Sequence, residues 1–251
     1  MVALVIDIGN TLTKIAVFNG DEMLEVQQYP EVTRIALAEF CSLYLPDAVI
    51  VSTVKNAERH IWEDALAAFT INCSITAFDS STPTGINNHY KTPKTLGADR
   101  LAAVVGAHHL YPNAANIIIG GGTAITYDYV DAGANYFGGS ISPGLKMRYK
   151  ALNQFTGALP LIEVDENFEA AYGDDTASAI TSGVQNGIKY ELTGFINEYI
   201  KTQQAYNIIL SGGDSIFFDT LLKNSIFAPY IKIEPYLVLK GLNAAIQKHN
   251  D

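Results

Sequence analysis

Two rhythms of apolar residues run along this chain. Short β-branched runs occupy 2–8 (VALVIDI), 14–18 (KIAVF), 48–52 (AVIVS), 74–78 (SITAF), 116–119 (NIII) and 207–210 (NIIL), and their length and composition predict strands. The first is apolar at nearly every position, as in a strand buried on both faces. Other stretches carry helical spacing. Ile35, Leu37, Ala38, Cys41 and Leu45 precede Pro46, and Ile61, Ala65, Ala68 and Phe69 share one side of 57–69. A third helix is expected from near Ala98 to about Leu110, ahead of Pro112. Ile180, Val184, Ile188, Leu192 and Ile196 step by four through 176–202, the longest predicted helix, and a last one covers about 239–248. Asn19-Gly20 between strand-like runs signals a hairpin. Residues 79–95 form a polar loop, and loops of that length usually serve a function.

The opening pattern recurs. A strand, a glycine turn bearing Thr and a second strand fill 2–18, and the same sequence of features fills 116–130, with NYFGGSISPG as a third strand. Gly9 and Gly122 stand 113 positions apart, close to half the chain. This predicts an internally duplicated α/β protein with an N-terminal lobe at 1–114 and a C-terminal lobe at 115–251. Both candidate phosphate turns would then face a cleft between the lobes.

Composition narrows the partners. A net charge of −10 disfavours nucleic acid, whose binding depends on clustered Lys and Arg. No apolar run approaches a membrane span, and MVALVIDIGN lacks the basic flank of a signal peptide, so a cytoplasmic protein is expected. Cys41 and Cys73 form neither a C-x-x-C pair nor a zinc spacing with the scattered histidines.

The candidate chemistry lies in four places. Asp7 interrupts an apolar strand, where a carboxylate needs a cationic partner such as Mg²⁺; Gly9 lets the turn approach a phosphate, and Thr11, Thr13 and Lys14 can donate to it. A tight hairpin capped by Asp7 and Asn10 would explain the same residues. Gly120-Gly121-Gly122-Thr123 supplies a second turn of backbone donors and is not a Walker loop. Ser211-Gly212-Gly213-Asp214 follows a strand, where a ring or ribose could lie, or where Asp214 could simply cap a helix. Gly97-Ala98-Asp99-Arg100 lies where the polar loop enters a helix. Asp99 could assist a nucleophilic hydroxyl and Arg100 could fork onto a carboxylate, or the pair could be an N-cap beside a solvent-facing Arg.

Taken in order, DIGNTLTK at 7–14, Tyr90 with Pro93, GADR at 97–100, GTAITYD at 122–128, GGSISPG at 138–144, GDDTASAITSG around Thr176 and the Ser211–Asp214 turn resemble the type III pantothenate kinases. These are relatives of acetate kinase, the sugar kinases, heat-shock ATPase chaperones and actin. The resemblance covers nearly the whole chain, and GADR combined with GTAITYD and GGSISPG is its specific part. It implies a duplicated ribonuclease H-like, actin-like ATPase fold of two lobes. The implied reaction is ATP-dependent phosphorylation of pantothenate to 4′-phosphopantothenate, the first step toward coenzyme A. By motif match, Asp7, Ile8, Gly9, Asn10, Thr11, Leu12, Thr13 and Lys14 would bind ATP with Gly122, Thr123, Gly212 and Gly213. Tyr90, Gly97, Ala98, Asp99, Arg100 and Thr176 would bind pantothenate, with Asp99 as general base. Mg²⁺ would accompany ATP through Asp7 and the phosphates, and the enzyme would be a homodimer. The family's second turn is Asp-x-Gly-Thr, its Asp linked to a bound K⁺ or NH₄⁺. Here Gly120 occupies that position and offers only a carbonyl, which leaves dependence on K⁺ or NH₄⁺ open, with Asp128 as a partial substitute. The competing readings are a kinase of another small hydroxy acid and a non-catalytic regulatory homologue that binds ATP. Retention of Asp7, Lys14, Asp99 and Arg100 favours an enzyme.

Overall fold

The computed structural model describes residues 1–53, Leu66, 73–201 and 205–250. In chain order the strands are β1 (Val2–Ile8), β2 (Thr13–Asn19), β3 (Glu22–Tyr29), β4 (Ala48–Thr53), β5 (Ser74–Ala77), β6 (Asn87–Asn88), β7 (Ala115–Gly121), β8 (Ala124–Val130), β9 (Asn135–Pro143), β10 (Tyr206–Gly212) and β11 (Ile231–Ile233). The α-helices of the described residues are α1 (Arg34–Tyr44), α2 (Ala98–Leu110), α3 (Leu145–Gln154), α4 (Thr176–Ile200), α5 (Ser215–Leu222) and α6 (Leu237–Asn250). The helix expected at 57–69 lies outside the described residues apart from Leu66, which is buried. None of the described helices is long and apolar enough to cross a membrane.

The chain divides into two compact units. Unit 1 is Met1–Pro112, Gly133–Phe137 and Tyr236–Asp251; unit 2 is Asn113–Ala132 and Gly138–Pro235. In unit 1 the strands run β3-β2-β1-β4-β5, with β1, β2 and β3 forming an antiparallel meander and β4 and β5 added in parallel. Asn19-Gly20 makes the second hairpin, and Gly20 takes φ 58°, a conformation glycine adopts without strain.

The near-continuous apolar character of β1 follows from burial on both faces. Ala3 and Val5 pack with Leu101 and Ala102 of α2 and Leu239, Leu242 and Ala245 of α6. Leu4, Ile6 and Ile8 pack on the other side with Leu37, Phe40 and Cys41 of α1. Helices α2 and α6 approach backbone to backbone. A Cβ on Gly241 would lie 1.8 Å from the Ala102 carbonyl oxygen, so the crossing requires glycine there.

In unit 2 the order β11-β10-β7-β8-β9 repeats that of unit 1 strand for strand. The senses match as well: β7 and β8 are antiparallel, while β10 lies parallel to β7 and to β11. This is the duplication expected from the repeated strand–turn–strand pattern, in the ribonuclease H-like form that the resemblance implies. The four-residue steps of α4 bury Ile180, Val184, Ile188, Leu192 and Ile196 in one core with Ile117, Ile119, Tyr127 and Leu210.

Several elements had little or no separate signal in the sequence. The β3 segment EMLEVQQY is mostly polar because it is a half-exposed edge strand. Helix α3 buries only Leu145 and Tyr149, and β11 is three residues long with no buried position. The polar loop at 79–95 is partly ordered: β6 pairs in parallel with Asn135 and Tyr136, and Pro93–Thr95 form a turn of 3-10 helix.

Candidate active site

In unit 1, β1 ends in a tight turn closed by the Gly9 N–H donating to the Leu12 carbonyl at 3.1 Å. A Cβ on Gly9 would stand 3.0 Å from that oxygen, so the turn has little room for a side chain. Asn10, Thr11 and Leu12 are exposed, and Thr13 is buried as the first residue of β2. The register sets Asp7 beside Lys14 on one neighbour and the buried Ser52 on the other. Burial and, after it, the nearby Asp99 carboxylate raise the Asp7 pKa, Lys14 and Ser52 act in the opposite direction, and the net value is about 6. Asp7 and Asp99 are therefore electrostatic neighbours although 92 positions separate them. The alternation along β1 puts Asp7 on the face of Ala3 and Val5, which packs against α2, and Asp99 lies in the first turn of that helix.

The start of α2 is not the N-cap arrangement that the sequence left open. Gly97 occupies the cap, and Asp99 lies inside the first turn. The Asp99 Oδ1 accepts from the Arg100 N–H at 2.9 Å, and a Cβ on Gly97 would lie 2.6 Å from that same oxygen. Nor does Arg100 face solvent: it is 6% exposed. Its guanidinium sits over the Tyr90 ring, 5.9 Å from the centroid, a cation–π geometry. Tyr90 lies nearly parallel to the fully buried Tyr136 at 6.4 Å. The Asn88 side-chain oxygen accepts from the Tyr90 N–H at 3.0 Å. Gly97 and Ala98, with Val51, Thr53, Phe78 and Leu96, help line a cavity of ≈ 630 Å³, a size suited to a small molecule.

In unit 2, the three glycine-bearing turns meet. The Gly122 N–H donates to the Ala124 carbonyl at 3.1 Å, closing the β7–β8 turn and leaving Gly122 and Thr123 exposed. The Gly144 N–H, at the end of GGSISPG, donates to the Thr123 carbonyl at 3.1 Å. A Cβ on Gly144 would come within 2.2 Å of the Gly122 carbonyl oxygen. Gly212, at φ +84°, lies against the Gly121 backbone. Gly213 is exposed beside it, and Asp214 occupies the N-cap position of α5 without making a side-chain cap. Burial raises the Asp214 pKa, while Lys146 lowers it. Thr176 is the exposed first residue of α4, in unit 2, whereas Tyr90, Gly97, Ala98, Asp99 and Arg100 lie in unit 1; Asp175 caps the helix through the Ser178 N–H at 2.7 Å.

A profile of the type III pantothenate kinase family matches residues 3–200. The chain belongs to the type III pantothenate kinase family. A type III pantothenate kinase from Bacteroides fragilis is 42% identical over 248 residues, covering 98% of each chain. One from Phocaeicola vulgatus is 41% identical, covering 99% of this chain and 98% of its own. Among solved structures, a protein from Campylobacter jejuni described as a Baf family transcriptional activator matches with a TM-score of 0.63 and 18% identity over 98% of both chains, a likeness of fold.

Within this pantothenate kinase family member, Gly120 pairs with Thr126 across β7 and β8. A Cβ there would meet the Thr126 Oγ1 at 2.7 Å, so an aspartate would require Thr126 to rotate. Asp128 lies on the same strand face, 1% exposed, against the Gly139 backbone. Among the described residues, no group of three His, Cys, Asp or Glu is arranged to hold a metal ion. Ser52 and Tyr136 were not legible as site residues. Ser52 ends an ordinary strand run, and Tyr136 is one of 14 tyrosines; register and ring packing alone distinguish them.

Proposed function

We propose that this chain transfers the γ-phosphoryl group of ATP to the hydroxyl of pantothenate, with Asp99 as general base. The observation that carries the reading is the Asp7–Asp99 carboxylate pair, with the buried Arg100 next in the chain after Asp99 and with Gly97 and Ala98, the two residues before it, lining a small-molecule cavity. In this reading Asp99 accepts the proton of the attacking alcohol as the phosphoryl group moves. Arg100, held in place by Tyr90, takes the carboxylate of the acceptor. The 9–13 turn offers backbone N–H groups and hydroxyls to the phosphates, Lys14 adds a positive charge, and in unit 2 the Gly122–Thr123 and Gly212–Gly213 turns do the same for the nucleotide.

Two neighbouring carboxylates with Lys14 as counter-charge fit a hard divalent cation, which prefers one or two carboxylates and completes its shell with phosphate oxygens and water. Mg²⁺ held through Asp7 would neutralise charge on the phosphates. The test is formation of 4′-phosphopantothenate from labelled ATP, with other small hydroxy acids as competing acceptors. Transfer to a different acceptor alone would reassign the substrate, and ATP binding without any transfer would favour a regulatory role.

Gly120 supports a further expectation. With no carboxylate at that position, turnover should change less than about twofold when K⁺ is replaced by tetramethylammonium, since loss of a true cation ligand typically costs far more. A tenfold fall on removal of K⁺ and NH₄⁺ would mean that another group, such as Asp128, supplies the site.

We also read the chain as a homodimer. Unit 2 leaves Ile141, Phe155, Tyr172 and Tyr190 between 63% and 81% exposed, apolar surface that a partner would cover in this reading. Light scattering at micromolar concentration should give twice the chain mass, 27.2 kDa; a monomer under those conditions would refute the reading.

A further inference from the structure

We infer that Glu191, in the middle of α4, is a positioning residue for the nucleotide turn at Gly122–Thr123. The inference rests on the reading that ATP binds at this turn. Glu191 touches neither Gly122 nor Thr123 directly; it acts through the segment that ends β9. One carboxylate oxygen accepts from the Tyr127 hydroxyl at 2.7 Å and from the Ser142 hydroxyl. The other receives the Arg148 guanidinium at 2.6 Å. Arg148 in turn donates from Nε to the Pro143 carbonyl at 2.8 Å and from Nη2 to Ser142 Oγ at 3.2 Å. The next residue is Gly144, whose N–H holds the Thr123 carbonyl and whose Cα lies so close to Gly122 that no side chain fits.

The connections thus run from Glu191 to Ser142 and Pro143, then through Gly144 to the turn. Tyr127 anchors the same carboxylate to β8, the strand that leaves the turn. The carboxylate is bracketed by β8, which leaves the turn, and by the end of β9, which leads into Gly144 beside it, and this fixes the spacing of those two strands. The ion pair is only 19% and 23% exposed, so solvent screens it weakly. Burial alone would raise the Glu191 pKa, but the bonds from Ser142, Arg148 and Tyr127 outweigh it and the net shift is downward. The group is an ionised, fully engaged acceptor. A mid-helix glutamate that served only solubility would face solvent and have no such partners. Charge-assisted bonds of this kind are the strong ones, and a turn aimed at phosphate needs placement to within a fraction of an ångström.

The test is steady-state kinetics of Glu191→Ala, Glu191→Gln, Ser142→Ala and Thr123→Ala, with a thermal melt of each. Glu191→Ala should raise KM for ATP about 10- to 100-fold, the range for a lost bond to a charged group, and leave KM for pantothenate within about threefold. Glu191→Gln keeps an acceptor for Tyr127 and Ser142 and should recover part of the loss. Ser142→Ala should move KM for ATP in the same direction by a smaller factor, and it carries the test if Glu191→Ala fails to fold. If Thr123→Ala weakens ATP while the Glu191 and Ser142 variants do not, the positioning role is wrong and the turn assignment stands. If Thr123→Ala leaves ATP untouched, the turn assignment fails and takes this inference with it. Equal loss for both substrates in the Glu191 variants would mean a general packing role and would also overturn the inference.

Discussion

Asp99→Asn is expected to lower kcat by ~10²–10⁴-fold, the usual worth of a positioned general base, with KM for ATP nearly unchanged. Asparagine matches the shape of the carboxylate and can still accept the Arg100 N–H seen at 2.9 Å, so the start of α2 should survive. What it loses is the ability to take a proton from the alcohol. A second readout separates this from damage to the fold. The Asp99 charge is one cause of the raised Asp7 pKa, after burial, so the variant should move the Asp7 titration downward, toward the ordinary carboxylate range. Near-normal turnover with intact protein would remove Asp99 from its role, and an unmoved Asp7 titration would separate the two carboxylates.

The second large effect is expected at Asp7 and has two opposite parts. Asp7→Asn should cut kcat/KM for ATP by ~10²–10³-fold, because the carboxylate that would hold Mg²⁺ is gone. The same substitution should make the ligand-free protein more stable at neutral pH. The folded-state pKa lies near 6, above the ordinary 3.8, so the folded protein holds this proton more tightly than the unfolded chain does. Stability therefore falls as pH rises between those two values, and the full penalty is present above about pH 6. The difference corresponds to at most ~3 kcal/mol, less once the partial exposure of Asp7 is allowed for. That predicts a gain in Tm of roughly 2–6 °C at pH 8. The gain should shrink as pH falls through that window and approach zero below pH 3.8, where the wild-type carboxyl becomes protonated in both states. Melting curves of both proteins at pH 4 and pH 8 test it, and a variant that is less stable at pH 8 would refute the argument. Strain relieved by a ligand in this way is common where a site must hold charge before its substrate arrives.

Much of the architecture was legible because its signals are local. VALVIDI, NIII and NIIL are strands by composition, Asn19-Gly20 is a hairpin by backbone preference, and the steps from Ile180 to Ile196 are a helix by period. The helix from Ala98 to Leu110 was bounded by Pro112, and the repeat of strand, glycine turn and strand announced the duplication that the two matching strand orders express. Elements that bury little left weak traces: β3 at an edge, the short β11, and α3 with two buried residues.

The candidate site divides along the same line. The glycine turns at Gly9, Gly122 and Gly212 stood out because only a turn or a close approach accounts for glycine at the end of a strand. The meaning of GADR did not. As residues, Asp99 and Arg100 could equally have been a capped helix start beside a solvated cation.

The sequence by itself determined which segments are strand, turn and helix, and that the pattern occurs twice, since each of those properties depends on residues within a few positions of one another. The tertiary structure alone decided that Asp7 and Asp99 share a neighbourhood, that Arg100 is buried against Tyr90, and that Glu191 holds the end of β9. Those facts depend on strand register and on which helix covers which sheet face. Contacts across tens of residues set both, and no local preference encodes them.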